Sequence, residues 1–156
     1  MEFKQINTFT PELKQSLFQF MITSKPFDFC EHKSYQIRKF NINKYISFLE
    51  KSGVNYAIYE GNQVMSLYSL ENQNEEIELL FLVFFHSDNK RAAKNLQFAI
   101  EQIKALYPDI RSIYSLLSRL HKRKKMISWI LKYSPDAKIM LDKIPNCVYF
   151  YGNHGI

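Results

Sequence analysis

The 156-residue chain has little glycine, cysteine or tryptophan: four, two and one. No glycine falls between Gly61 and Gly152, so a phosphate loop built on bare backbone is not open to the middle of the chain. Cys30 and Cys147 lack both metal-ligand spacing and the density of a disulfide framework, which points to a reducing compartment. The longest apolar run, Leu79 to Phe85, is seven residues, against the ~20 needed to cross a bilayer. Met1 to Asn7 is polar and shows no secretory signal, so a cytoplasmic protein without a membrane partner is expected. No Gly-x-Ser-x-Gly elbow, His-Glu-x-x-His pair, Walker loop or dinucleotide fingerprint occurs, and no metal site is expected.

What is present describes a globular chain. Hydrophobic residues make up 46% and charged residues 23%, which excludes a disordered protein. The length suits one domain, residues 1–156, able to bury roughly 70% of its unfolded surface. Phe and Tyr raise the aromatic share to 15%. A net charge of +6 permits an anionic partner without naming one.

The pattern predicts a short strand over Glu2–Asn7, then a helix opened by Thr10-Pro11 and running to about Ser24, with Leu13, Leu17, Phe20 and Met21 at helical spacing. Lys25 to Phe40 reads as a packed loop or short helix. A second helix spans about Asn43–Lys51 and stops at Ser52-Gly53. Val54–Glu60 and Gln63–Leu70 form a hairpin around Gly61-Asn62, Glu71–Glu75 turns the chain again, and Ile77–Phe85 is a strand covered on both faces. Asp88 or Asn89 caps a long helix whose stripe is Ala92, Leu96, Ala99, Ile100, Ile103 and Leu106, ended by Tyr107-Pro108-Asp109. A strand at Ile110–Leu117, a helix over Lys122–Tyr133, a strand through Ala137, Ile139 and Leu141, and a last strand at Cys147–Tyr151 complete the order β-α-α-β-β-β-α-β-α-β-β.

That order, over essentially the whole chain, resembles the GNAT superfamily of N-acyltransferases. The resemblance implies an α+β fold of three-layer type, a mixed, mostly antiparallel central sheet flanked by helices. It also implies an acyl-coenzyme A, such as acetyl-coenzyme A, as donor to an unidentified amine. In the family a Val precedes a Gln/Arg-x-x-Gly-x-Gly/Ala loop whose backbone N–H groups hold the pyrophosphate. Here Val83-Phe84-Phe85-His86-Ser87-Asp88-Asn89-Lys90-Arg91-Ala92-Ala93-Lys94-Asn95 stands in that place. Lys90 takes the Gln/Arg position, and Ala93 and Asn95 take those of the glycines, where a Cβ is expected to crowd the pyrophosphate. The implied cofactor residues are Val83, Phe85, Lys90, Arg91, Ala93, Asn95 and, on the last helix, Arg123. In that helix Ile130 replaces the tyrosine that often protonates the leaving thiolate, and Ser134 replaces a glycine. The chain is also similar to small GNAT-like proteins of tailed bacteriophages, some virion-linked, which implies a bacterial or phage-infected cell.

Candidate catalytic residues come from the strand before the loop. Glu76 and Glu78 alternate with Ile77 and Leu79, which directs both carboxylates to one face, suited to a base or to the solvent side of an acid-rich hairpin. His86 ends the same strand, as a titrating group or a loop former. Tyr114 and Tyr133 could donate a proton or simply pack. Arg119-Leu120-His121-Lys122-Arg123-Lys124-Lys125 crowds positive charge at a helix start. An anionic ligand at 119–125, the coenzyme's 3′-phosphate, nucleic acid or an acidic protein surface, would offset it; so would salt.

Three functions follow: an acyltransferase, a non-catalytic GNAT-like assembly or interaction protein, and a nucleic-acid-binding module resting on the basic run. Self-association into a homo-oligomer stays open.

Overall fold

The structure, a computed structural model, describes residues 1–23, 42–86, 88–116, 128, 131–133, 136–140 and 147–152. Among them run β1 (Glu2–Ile6), α1 (Pro11–Thr23), α2 (Ile42–Ser52), β2 (Val54–Glu60), β3 (Gln63–Gln73), β4 (Glu76–Phe84), α3 (Asn89–Leu106), β5 (Ser112–Leu116), β6 (Lys138–Met140) and β7 (Cys147–Tyr151). The strands make one sheet in the order β1-β2-β3-β4-β5-β7-β6, antiparallel except for the β4–β5 pair. This is the mixed, mostly antiparallel α+β architecture expected. Of the helix expected over Lys122–Tyr133, Ser128 and 131–133 are described and helical. The rest of that span lies outside the described residues, as do Lys25 to Phe40 and the basic run.

The helices form where local chemistry dictates. Thr10 caps α1: its hydroxyl accepts from the Leu13 N–H at 3.1 Å and its carbonyl from the Lys14 N–H at 2.9 Å. Leu13, Leu17 and Met21 then pack one face of α1 against Ile46 and Leu49 of α2 and against Ala57, Leu67, Phe81 and Val83 of the sheet. On the other face, Leu96, Ala99, Ile100 and Ile103 of α3 meet Ile58, Tyr68, Leu70, Ile77, Leu79 and Ile113. Burying each Leu or Ile in these two cores stabilises by about 1.5–3 kcal/mol relative to exposure. No described helix is long and apolar enough to cross a membrane.

Two expectations need correction. The polar stretch Glu71–Gln73 is strand rather than turn, because it pairs in register with Glu78, Ile77 and Glu76. The turn is Asn74-Glu75, with Asn74 in the left-handed region at φ 59°. Leu106 is 53% exposed instead of completing the α3 stripe. Tyr107 and Ile110, just past the helix, pack against that core.

Glu50 of α2 ties the β1–α1 connection down, accepting from the Phe9 N–H at 2.6 Å and pairing with Lys14. The Phe9 bond chiefly, opposed by desolvation and helped by Lys14, holds this carboxyl below its ordinary value of 4.5. A depressed carboxyl stabilises the fold above that ordinary value and ceases to do so as pH falls through the folded value. Urea unfolding midpoints should therefore drop on acidification below about pH 5, and Glu50→Gln should flatten that drop while lowering the neutral-pH midpoint.

A second expectation concerns glycine. Gly152 sits at φ 72°, and a Cβ there would lie 1.9 Å from the Arg111 carbonyl oxygen. Gly61, at φ 61°, has open space around it. Gly61→Ala should cost roughly 1–2 kcal/mol in chemical denaturation. Gly152→Ala should cost clearly more, because the added atom meets backbone that must move.

Candidate active site

The site begins with a defect in β4. Ser69 pairs with Phe81 but Leu70 pairs with Leu79, so Leu80 is an extra residue in β4, a β-bulge. A one-residue insertion exchanges the faces of everything beyond it. Ile77 and Leu79 pack toward α3, whereas Phe81 and Val83 pack toward α1 and α2. Glu76 and Glu78, alternating with Ile77 and Leu79, therefore share the α1–α2 side with Phe81 and Val83.

The parallel ladder from β4 to β5 covers Glu76–Ser112, Ile77–Ile113 and Glu78–Tyr114, while β4 continues along β3 to Phe84. Just past the ladder's end, the buried Ser115 hydroxyl donates to the Leu79 carbonyl at 2.8 Å. Glu78 is 3% exposed at this point, which overturns a solvent-facing hairpin as its setting, and Glu76 is half-buried. Tyr114 stands at Glu78's register position, and its ring lies 5.5 Å from that of Tyr149. Burial, then Cys147 and the Glu76 carboxylate, push the Tyr149 hydroxyl above its ordinary range, so it stays a proton-bearing donor. Tyr149 gave no sequence signal, since only the β5–β7 pairing brings it here.

The other end of β4 is basic. Asp88 caps α3, its carboxylate accepting from the Lys90 N–H at 2.9 Å. Arg91 is paired with Glu60 at the end of β2. His86 Nε2 lies 2.6 Å from the side-chain nitrogen of Asn95, which is 2% exposed. Burial first, then Arg91, hold the His86 pKa below 6.5, against the opposing pull of Glu60 and Asp88. The ring is therefore neutral at pH 7.

The structure thus divides the sequence-derived residues. Glu76 and Glu78 share one region; His86 belongs to another, since six strand residues at about 3.3 Å each put roughly 20 Å between Glu78 and the strand end. Lys90 and Arg91 are exposed at the start of α3. Val83 and Phe85 are built into the α1–α2 core. Ala93 is 3% exposed and, like Asn95, turned into the protein. Both side chains are thus inside the protein rather than on the exposed side of the turn. Tyr133 presents its backbone carbonyl to Gln97, and Arg123 lies outside the described residues. Sequence reasoning missed Glu60, whose reach to Arg91 spans 31 residues.

The donors at the head of α3 fit a phosphate: a helix N-terminus, Lys90, Arg91 and a neutral imidazole. Two carboxylates, Asp88 and Glu60, oppose it by charge without filling the site with apolar bulk.

No protein-family model and no curated protein matches the sequence. Solved structures do. A PaiA N-acetyltransferase from Thermoplasma acidophilum in complex with coenzyme A superposes with a TM-score of 0.58 at 14% identity, covering 96% of this chain and 98% of that one. The aminoglycoside 6′-N-acetyltransferase from Enterococcus faecium gives 0.57 at 12%, covering 96% and 94%. An IAA acetyltransferase from Bacillus cereus ATCC 14579 gives 0.56 at 15%, covering 89% and 77%. From the strand order, the parallel β4–β5 pair and these neighbours, the chain has the fold of the GNAT N-acetyltransferases.

Proposed function

We propose that the chain is a cytoplasmic, acyl-coenzyme A-dependent N-acyltransferase acting on an amine. The carrying observation is the layout of β4. One end presents a buried carboxylate where the ladder to β5 stops, and the other runs into a cationic helix N-terminus. The fold likeness to a coenzyme A complex supports this reading. Lys90, Arg91, His86 and the first turn of α3 would hold the coenzyme phosphates, with Arg123 as candidate for the 3′-phosphate. A bound acyl-coenzyme A supplies a thioester activated for attack. Glu78 takes the proton from the incoming ammonium to leave a neutral amine. Glu76 adds negative charge that draws the cation to the same face, and the Tyr149 hydroxyl remains a donor beside them.

A second reading, a non-catalytic assembly or interaction domain of phage origin, is favoured by Asp88 and Glu60, which set negative charge against an incoming phosphate. Titration of acetyl-coenzyme A by calorimetry separates the two. Micromolar dissociation, lost in Lys90→Glu, supports the enzyme; no heat at millimolar ligand sinks it and leaves the second reading. In the enzyme, Glu78→Gln should lower kcat by about 100-fold or more with coenzyme affinity retained. Asparagine caps a helix as well as aspartate, so Asp88→Asn should leave Tm nearly unchanged while tightening coenzyme binding about three- to tenfold.

A further inference from the structure

We infer that Asn95 is a positioning residue for coenzyme binding: from the second turn of α3 its buried amide holds the His86 ring, so that the other ring nitrogen meets the coenzyme phosphates. The inference rests on the acyl-coenzyme A reading above. Asn95 lies among Ala92, Ala93, Leu96 and Ala99, all buried. An amide in such a place is costly unless bonded, and an apolar side chain would pack there without that cost. Its bond goes to His86, nine residues earlier at the end of β4. The pair thus couples the strand end to the helix through side chains, in a turn that has no glycine.

The bond also sets the proton. With the Asn95 amide nitrogen donating to Nε2, the neutral ring carries its hydrogen on Nδ1. The ring then offers an N–H beside the helix N-terminus, where an anion is favoured. The charges facing it are Arg91 from α3, Glu60 from β2 and Asp88 from the turn. Arg91 and burial oppose protonation, and the two carboxylates favour it. Acidification therefore converts a neutral donor into a cation, with the Asn95 amide turning its oxygen toward Nε2–H, and coenzyme affinity rises.

The experiment titrates coenzyme A by calorimetry between about pH 5 and 8 into the wild type, His86→Gln, Asn95→Leu and Asn95→Asp. Each variant's profile is read against His86→Gln, which cancels the titration of the ligand's own phosphate. The ring is followed in parallel by 15N spectra of the free protein. We expect the wild type to gain about three- to tenfold in affinity on acidification relative to His86→Gln. Asn95→Leu should lose that gain, and Asn95→Asp should move the inflection upward by about a pH unit or more, because a carboxylate favours the charged ring. The spectra should show an Nδ1-protonated neutral ring that Asn95→Leu abolishes.

A purely structural role would lower the Tm of Asn95→Leu and leave the pH profile in place. Binding whose pH profile in the wild type is the same as in both His86→Gln and Asn95→Leu overturns the inference and spares the acyltransferase reading. Absence of binding in the wild type overturns both. A ring signature indifferent to Asn95→Leu overturns the positioning role whatever the coenzyme does.

Discussion

The site depends on one extra residue. Leu80 is inserted in β4 opposite a regular stretch of β3, and a strand's side-chain period of two turns that insertion into an exchange of faces. The strand can then do two incompatible things. Its first half packs Ile77 and Leu79 against α3 and sends Glu76 and Glu78 the other way; its second half packs Phe81 and Val83 against α1 and α2. Without the bulge, either the carboxylates would lie under an apolar helix or Phe81 and Val83 would leave the core that Leu17 and Leu49 need. The exchange of faces keeps both carboxylates away from the apolar stripe of α3, with Glu78 still buried on the face it takes.

At the other end of β4 the chain handles charge differently. The head of α3 carries a partial positive charge from its unpaired N–H groups, and Asp88 satisfies one of them from within the chain. Arg91 is likewise met by Glu60, both well exposed, so their attraction is worth about 1 kcal/mol at most. Neither contact is too strong for a doubly charged phosphate to displace, yet both lower its net affinity. A backbone loop of glycines needs no such side chains. On the proposed acyl-coenzyme A reading, with Ala93 and Asn95 turned inward, phosphate recognition would fall to Lys90, Arg91 and His86.

Local rules were legible in the residues, and long-range ones were not. Thr10-Pro11, Asp88 and the Gly61-Asn62 turn announce their roles within four residues, and the structure places each where its capping or turn chemistry requires. The bulge is invisible because Leu79 to Phe85 is apolar at both parities, so any register buries it equally well. Glu71 to Gln73 read as a turn because polar residues usually do. They are strand because Glu76 to Glu78 offer them a ladder. Leu106 fits the period of α3, yet the chain leaves the helix there and brings Tyr107 and Ile110 to the core instead. The Glu60–Arg91 and Asn95–His86 contacts follow from tertiary placement, which no spacing rule encodes. Asn95 itself did carry a trace: a lone polar residue inside an apolar helical stripe.

The two ends of β4 have opposite electrostatic preferences, and their separation keeps both useful. Glu76 and Glu78 favour a cation, while Lys90, Arg91 and the α3 N-terminus favour an anion. Roughly 20 Å of strand lies between them, more than twice the ~8 Å Debye length at physiological ionic strength. At that range each group's field is screened before it reaches the other, so neither cancels its opposite. Glu75, nearest the acid end, is already engaged by Arg111, whose backbone and guanidinium both reach it. With Glu75 offset, Glu76 and Glu78 are acid-end carboxylates on the side of the β4–β5–β7 ladder where Tyr114 and Tyr149 lie. On the proposed acyltransferase reading, an ammonium acceptor and a phosphate-bearing donor have the same opposition of charge. The net charge of +6 sets the sign of the whole molecule's field. On that reading, the order of charges along this one strand would give each reactant its own end of the site.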